Sequence, residues 1–258
     1  MNKHTLTTLV IALALSCFVS AANAVPVLQV AAWDPVDGYI GTWDTSSETT
    51  VVSGNEFIIR ALLDPENNNV PDTYNAMDTY VLSIAVIPSL MEEPPLDLGS
   101  ISVEQLTNPP STPVSIEVTG DMTWGLPPIE EALKAKSLPS HDVFETYFYE
   151  FEFMFDPSKT TSSIDIESYL LGLPDDGSSG NDLYYMDFAI DLSGFSMDYI
   201  AHFDLYFNQY VEGEGYTIAY FAPPSHDAEG RAVPEPGTLI LLGTGLAAFG
   251  AARARKGR

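Results

Sequence analysis

One short loop of the sequence concentrates the oxygen-bearing side chains that bind calcium. It runs Asp175-Asp176-Gly177-Ser178-Ser179-Gly180-Asn181-Asp182, and its candidate ligands are Asp175, Asp176, Asn181 and Asp182. Ca²⁺ takes about six to eight oxygen ligands, often from a flexible loop, so calcium is the cofactor that this composition favours. The spacing is not that of an EF-hand, and a solvated turn before the next strand explains the loop equally well. Two weaker loops of the same type begin at Asp34 and Asp64.

A histidine and an aspartate two residues apart form a second candidate. His202 and Asp204 fall on one face of a predicted strand, so they could ligate one metal ion or act as acid and base. The sequence does not show a third ligand, although His226-Asp227 or His141-Asp142 could approach in space. The alternative is that His202 and Asp204 are ordinary exposed polar residues.

Paired carboxylates and aromatic rings raise the possibility of carbohydrate chemistry. Glu150 and Glu152 are about 7 Å apart on one strand face, a spacing that could suit a glycosidase. The chain has 36 acidic residues, however, so such pairs are expected by chance. The aromatic residues that could stack on sugars, or lie in a core, are Trp33, Trp43, Trp124 and Tyr185.

Motifs of hydrolases and nucleotide-binding enzymes are missing from the sequence. It contains no G-x-S-x-G, H-E-x-x-H or phosphate-loop pattern. Two segments contain the residue types of a catalytic triad, Ser225-His226-Asp227 and Ser140-His141-Asp142. Adjacent residues point in divergent directions, however, so a working triad has to be assembled from separate segments. We therefore expect a protein that is not an enzyme.

The elements that position these residues are predicted to be strands. Apolar side chains alternate with polar ones in four segments that begin at Tyr80, Tyr147, Tyr184 and Ala201. Only Pro128–Ser137 has a helical pattern, with proline at its start and acidic residues before basic ones. The pattern predicts an all-β domain over residues 25–230, an antiparallel β-sandwich of jelly-roll type with one short helix.

The first 24 residues have the layout of a secretory signal peptide. Lys3 precedes an apolar segment, and Ala22 and Ala24 form an A-x-A site that predicts cleavage before Val25. The one cysteine, Cys17, lies within the segment that cleavage would remove. The exported chain is therefore expected to pass through the Sec translocon and to fold without disulfides.

Charge excludes one large class of partners. The formal net charge is −26, and all 36 acidic residues lie between Val25 and Glu235 with only five of the ten basic ones. So negative a domain repels phosphate backbones, which makes nucleic acid an unsuitable partner and favours solubility outside the cell.

The C-terminal segment, residues 233–258, has three parts in a fixed order. Val233-Pro234-Glu235-Pro236-Gly237 is followed by the apolar run Thr238–Ala252 and then by a basic end. The run predicts a C-terminal transmembrane helix of about 22 Å, short against a hydrocarbon core of about 30 Å. Its basic end is expected on the cytoplasmic side.

This order resembles the PEP-CTERM sorting signal of Gram-negative bacteria. The resemblance implies recognition by the membrane transpeptidase exosortase, transient anchoring in the inner membrane, and delivery to the cell surface or an exopolysaccharide matrix.

The domain itself is similar to the "choice-of-anchor N" family of secreted bacterial proteins. The resemblance is carried by Val27–Val30, Asp78–Ser89, Leu138–Phe155, His202–Tyr206 and Phe221–Gly230. It implies a β-rich, surface-anchored protein and contributes no catalytic residues. We therefore expect a non-catalytic protein of the extracellular polysaccharide or biofilm matrix; the alternative is a carbohydrate-binding module or a glycoside hydrolase acting on exopolysaccharide.

Overall fold

Two packed β-sheets form the domain in the computed structural model. The structure describes residues 27–45, 47, 49–66, 78–94, 97–107, 111–129, 145–173, 182–211, 215–223, 226–234 and 244. The predicted signal peptide and the loop residues Asp175, Asp176 and Asn181 lie outside these ranges.

The first sheet has seven strands, all paired antiparallel. Numbered in chain order, they are β1 (Leu28–Asp34), β2 (Gly38–Ile40), β5 (Glu56–Leu63), β7 (Ser100–Gln105), β8 (Val114–Glu117), β11 (Thr160–Thr161) and β12 (Leu183–Asp191). Their spatial order is β2-β1-β5-β12-β7-β8, and β11 adds to β12.

The second sheet has eight strands. They are β3 (Thr42–Asp44), β4 (Thr49–Ser53), β6 (Tyr80–Ile87), β9 (Thr123–Gly125), β10 (Thr146–Phe153), β13 (Ile200–Val211), β14 (Gly215–Phe221) and β15 (Ala228–Arg231). Their order is β3-β4-β15-β13-β6-β10-β9, with β14 on the same edge of β13 as β15.

The predicted sandwich is confirmed, because the alternating apolar residues meet between the sheets. Phe188 of β12 lies 5.0 Å from Phe153 of β10, ring centre to ring centre, and both rings are buried. One pairing differs from the expected antiparallel pattern, since β15 runs parallel to β4. Alternation of apolar and polar residues shows which face of a strand each side chain occupies, but not which strand lies beside it. The sequence pattern therefore could not predict the parallel pairing of β15 with β4.

A short helix that the sequence did not indicate lies outside the first sheet. Helix α1 spans Ile166–Leu170 and is capped by Asp165, whose carboxylate accepts a hydrogen bond from the Ser168 N–H at 2.7 Å. Five residues are too few for a periodic signal. Pro128 and Ile129 begin with helical backbone as predicted, and the rest of Pro128–Ser137 is outside the described residues.

No helix within the described ranges is long and apolar enough to cross a membrane. The predicted membrane run, residues 238–252, is outside those ranges apart from residue 244.

A buried arginine organises the outer face of the first sheet. Arg60 and Asp187 are direct partners across β5 and β12, and Nε and Nη2 of Arg60 donate to the two Asp187 oxygens at 2.7 and 2.9 Å. The guanidinium also lies 3.7 Å from the Trp33 ring centre and 4.2 Å from that of Tyr185. The planar guanidinium donates two hydrogen bonds to one carboxylate and also stacks on aromatic rings. A lysine ammonium cannot reproduce this combination of contacts.

We therefore expect Arg60→Lys to lower the free energy of unfolding by about 2 kcal/mol in urea titrations, because one charge-assisted hydrogen bond and the stacking are lost. Asp187→Asn provides the matched background. If the carboxylate pair is the cause, Arg60→Lys costs much less in that background; an equal loss in both would assign the effect to stacking alone.

Candidate functional site

The outer face of β13 carries two buried ionisable residues. Ala201, Phe203 and Leu205 point into the core, so His202 and Asp204 point away from it. Both predicted neighbours do share a face. They are not exposed, however: each is only 5% accessible to solvent. The interpretation of these residues as an ordinary exposed pair is wrong.

Strand β15 brings two more carboxylates to the same face. Glu229 is the direct cross-strand partner of His202, and Phe203 pairs with Ala228. Asp227 precedes Ala228, which places it beside Asp204 at the start of β15. One of the two segments proposed as a source of the third ligand, His226-Asp227, therefore supplies it. The other, His141-Asp142, is outside the described residues.

The four side chains surround one imidazole ring; we call them the His202 cluster (His202, Asp204, Asp227 and Glu229). The Nε2 atom of His202 lies 3.3 Å from Asp204 Oδ2 and 3.5 Å from Asp227 Oδ2. The opposite ring nitrogen, Nδ1, lies 3.7 Å from Glu229 Oε1. One ligand atom each from His202, Asp204 and Asp227 lies within 4.8 Å of the others, so these three side chains could hold a metal ion.

The His202 cluster places three carboxylates and one imidazole in a buried environment. Asp227 is fully buried, and Glu229 is as inaccessible as His202. Burial opposes charging of the imidazole, but the carboxylates of Asp204 and Asp227 raise the pKa of His202 well above its ordinary value. Arg231 also lies beside the cluster: its Nη2 is 3.7 Å from Glu229 Oε2, and its side chain is half exposed.

A buried hydroxyl extends the polar face. Ser83 of β6 is the cross-strand partner of Asp204 on one side and of Glu150 on the other. Its Oγ is buried and has no hydrogen-bond partner among the residues that the structure describes. Glu150 itself accepts a hydrogen bond from the Tyr206 hydroxyl, and burial together with this carboxylate raises the pKa of Tyr206.

A second histidine fixes the loop that leads into β15. His226 Nε2 lies 3.2 Å from Asp165 Oδ2, and both side chains are buried. Burial raises the pKa of Asp165, but hydrogen bonds from His226 and from the Ser168 N–H outweigh it and lower the pKa below its ordinary value. His226 and the adjacent Asp227 contact different partners, as expected for adjacent residues in a strand or turn. The apparent triad Ser225-His226-Asp227 is therefore not assembled through its histidine and aspartate.

The calcium loop stays a prediction. Of its four candidate ligands, only Asp182 is among the described residues, and it is exposed just before β12. In the weaker candidates, Asp34 accepts hydrogen bonds from the backbone N–H groups of Val36 and Asp37, at 2.7 and 3.0 Å. The bond from Val36, and then the bond from Asp37, lower the pKa of Asp34. The Asp34 carboxylate therefore stabilises a turn.

Two of the aromatic residues considered for sugars, Trp33 and Tyr185, lie on the first sheet, whereas the paired carboxylates lie on the second. Glu150 and Glu152 are exposed on β10, and Glu152 also lines a cleft of about 550 Å³ together with Asp156. Two of the aromatic rings, Trp33 and Tyr185, stack on Arg60.

The end of the domain leads directly into the tail. The Val233 N–H donates to Asn55 Oδ1 at 2.8 Å, and Val233 and Pro234 are exposed. Residues 232–256 match a family model described as the PEP-CTERM protein-sorting motif. The chain carries this sorting motif. It indicates exosortase-dependent sorting of an extracellular protein to the bacterial cell surface.

The remaining residues of the predicted signal, Glu235, Pro236 and Gly237, fall within the match but outside the described structure. No curated protein matches the chain at a significant level. The resemblance of the domain to the "choice-of-anchor N" family, and the signal peptide with cleavage between Ala24 and Val25, stay predictions.

We expect Asp165→Ala to lower the free energy of unfolding by about 1–3 kcal/mol, because it removes a helix cap and leaves His226 without its carboxylate. Asp165→Asn is the matched variant, since asparagine also caps helices. Its deficit relative to the original chain isolates the charge.

That deficit should depend on pH. The folded-state pKa of Asp165 is lowered from 3.8, so the stability from its charge is fully present above that value and is lost as pH falls through the lower one. Urea unfolding at pH 7 and at steps down to pH 3 should show the two proteins converging in acid. A gap that stays constant would contradict the role of the charge.

Proposed function

We propose that this chain is a non-catalytic structural protein of the extracellular polysaccharide matrix, positioned there by its sorting tail. The observation that carries the proposal is the motif at residues 232–256 directly following an acidic β-sandwich. The partners are the Sec translocon and exosortase during export, then exopolysaccharide; the membrane is contacted through the C-terminal segment.

The junction between domain and tail supports access by a processing enzyme. Strand β15 ends at Arg231, and the exposed Pro234 follows three residues later. Proline restricts the residue before it to extended backbone, so the triplet Pro234-Glu235-Pro236 favours an open conformation. The topology that follows has the acidic domain outside the inner membrane of a Gram-negative cell and the basic end inside.

The surface charge supports a matrix role. A domain with 35 of the 36 acidic residues of the chain stays soluble at high local concentration and attracts the cations that also bridge anionic polymers. Outward-facing carboxylates on β10, Glu150 and Glu152, belong to this surface.

One observation favours the alternative, a carbohydrate-binding module or glycoside hydrolase. Glu152 and Asp156 line the same cleft, together with the polar side chains of Gln105, Thr79 and Thr107. A cleft with convergent polar groups is the usual form of a small-ligand site.

Replacing Pro234-Glu235-Pro236 by three alanines should block tail processing in the native bacterium. The altered chain should stay in the membrane fraction at full tail-bearing mass, while the original chain reaches the surface in a shorter form, as measured by fractionation and intact mass. Met197→Ala is the control because Met197 is an exposed residue of the domain. Equal release of both variants would contradict tail-directed sorting.

Incubation with exopolysaccharide from the same bacterium separates the matrix protein from the hydrolase. We expect co-sedimentation with the polymer and no release of reducing ends. Reducing ends that appear with the original chain and vanish with Glu152→Gln or Glu150→Gln would establish the hydrolase instead. A domain that neither sediments with the polymer nor cleaves it would contradict both.

A further inference from the structure

We propose that the His202 cluster is a structural site for a divalent transition-metal ion of the Zn²⁺ type. The ligands are His202 Nε2 and one carboxylate oxygen each from Asp204 and Asp227. Glu229 Oε1 lies 3.7 Å from the other ring nitrogen, Nδ1. The site is distinct from the predicted calcium loop and from the matrix role proposed above, and it does not depend on either.

Two of the separations between the ligand atoms match those expected around a bound ion. Nε2 faces Asp204 at 3.3 Å and Asp227 at 3.5 Å. Charge-assisted N–H···O bonds are usually shorter, about 2.7–2.9 Å. Two ligands bound about 2.1 Å from a tetrahedral ion are about 3.4 Å apart. Both observed separations are close to that value.

Glu229 is placed where metal sites have their supporting carboxylate. A histidine that binds metal through one ring nitrogen commonly donates the N–H of the other to a carboxylate, which fixes the ring and its tautomer. Glu229 Oε1 lies 3.7 Å from Nδ1 on the side away from Asp204 and Asp227. Arg231 in turn lies beside Glu229.

The charges balance when a divalent cation is added. A neutral imidazole, two aspartates and a 2+ ion sum to zero, and Glu229 is compensated by Arg231. The cluster itself contains three buried carboxylates and one imidazole, and the half-exposed Arg231 lies beside Glu229. A divalent cation adds positive charge next to these carboxylates, which offsets part of the cost of burying them.

Ser83 is an independent sign that the site holds something more than these four residues. Its buried hydroxyl is directly opposite Asp204 on the same face, and among the described residues it has no hydrogen-bond partner. Buried hydroxyls are nearly always satisfied. A hydroxyl in this position can complete the coordination or hold a water molecule that does.

The ligand atoms indicate which class of ion binds, and the burial of the side chains indicates a structural role for it. Imidazole nitrogen suits Zn²⁺ and related ions, whereas Ca²⁺ and Mg²⁺ prefer oxygen ligands alone. Each of the four side chains is at least nine-tenths buried, which is typical of a closed structural site rather than an open catalytic one. The ion would join β13 to β15.

The test uses the full chain purified without chelator, stripped with EDTA and then titrated with ZnCl₂. We expect one tightly bound zinc per chain by calorimetry. The melting temperature should rise by about 5–10 °C at a hundredfold excess over Kd, since an ion that binds only the native state stabilises it. Equal concentrations of CaCl₂ should shift the melting temperature much less. A melting temperature that zinc leaves unchanged would overturn the proposal.

Variants locate the ion. His202→Gln should abolish the zinc-induced shift, while His226→Gln should keep it, because His226 is also a buried histidine but contacts Asp165 instead. Loss of zinc binding in both, or in neither, would place the ion elsewhere and overturn the site.

Asp204→Asn covers the case in which His202→Gln fails to fold. It preserves shape and removes one buried negative charge, so in EDTA it should be at least as stable as the original chain yet show no shift with zinc. If the cluster is only an imidazolium held by carboxylates, Asp204→Asn should be less stable in EDTA, and that result would overturn the proposal. X-ray absorption of the zinc-loaded chain should show scattering from one imidazole; its absence would also overturn it.

Discussion

The domain depends on aromatic packing between its two sheets. Phe153 of the second sheet contacts Phe188 of the first, and Phe57 of β5 lies 6.1 Å from Phe203 of β13, ring centre to ring centre. The one cysteine of the sequence lies in the predicted signal peptide, so apolar burial has to offset the entropy of ordering the chain. Large aromatic side chains bury the most area per residue and therefore suit this task.

The interior between the sheets is apolar, so the buried charged groups described above lie outside it. On the first sheet, Arg60 is paired with Asp187 and stacked between two rings, so its charge is compensated by its neighbours. On the second, His202 is surrounded by an excess of carboxylates. The charge of Arg60 is thus balanced by one carboxylate. Three carboxylates lie around His202, and the proposed metal ion would add positive charge there.

Much of the fold was predictable because strand alternation is local. The segments beginning at Tyr80, Tyr184 and Ala201 became β6, β12 and β13, with the expected residues inward. Helix α1 and the parallel β15–β4 pair were missed, since one is too short for a pattern and the other is a contact between distant segments.

The site was half predictable for the same reason. His202 and Asp204 share a strand, so their common face follows from spacing alone. Asp227 was one of two suggestions, and Glu229 was not foreseen because its position depends on the register between β13 and β15. Their burial was not foreseen either, since exposure of an outer sheet face depends on what packs over it.

The position of β15 has a mechanical consequence for a protein attached through its C-terminus. The strand lies between β4 and β13 and is bonded to both, and Asn55 holds Val233 just beyond its end. A force applied to the end of β15 along its axis would load the hydrogen bonds on both edges together, in shear. If an edge strand were pulled away from the sheet at one end, its hydrogen bonds would instead break one at a time. The anchoring strand is placed to resist drag.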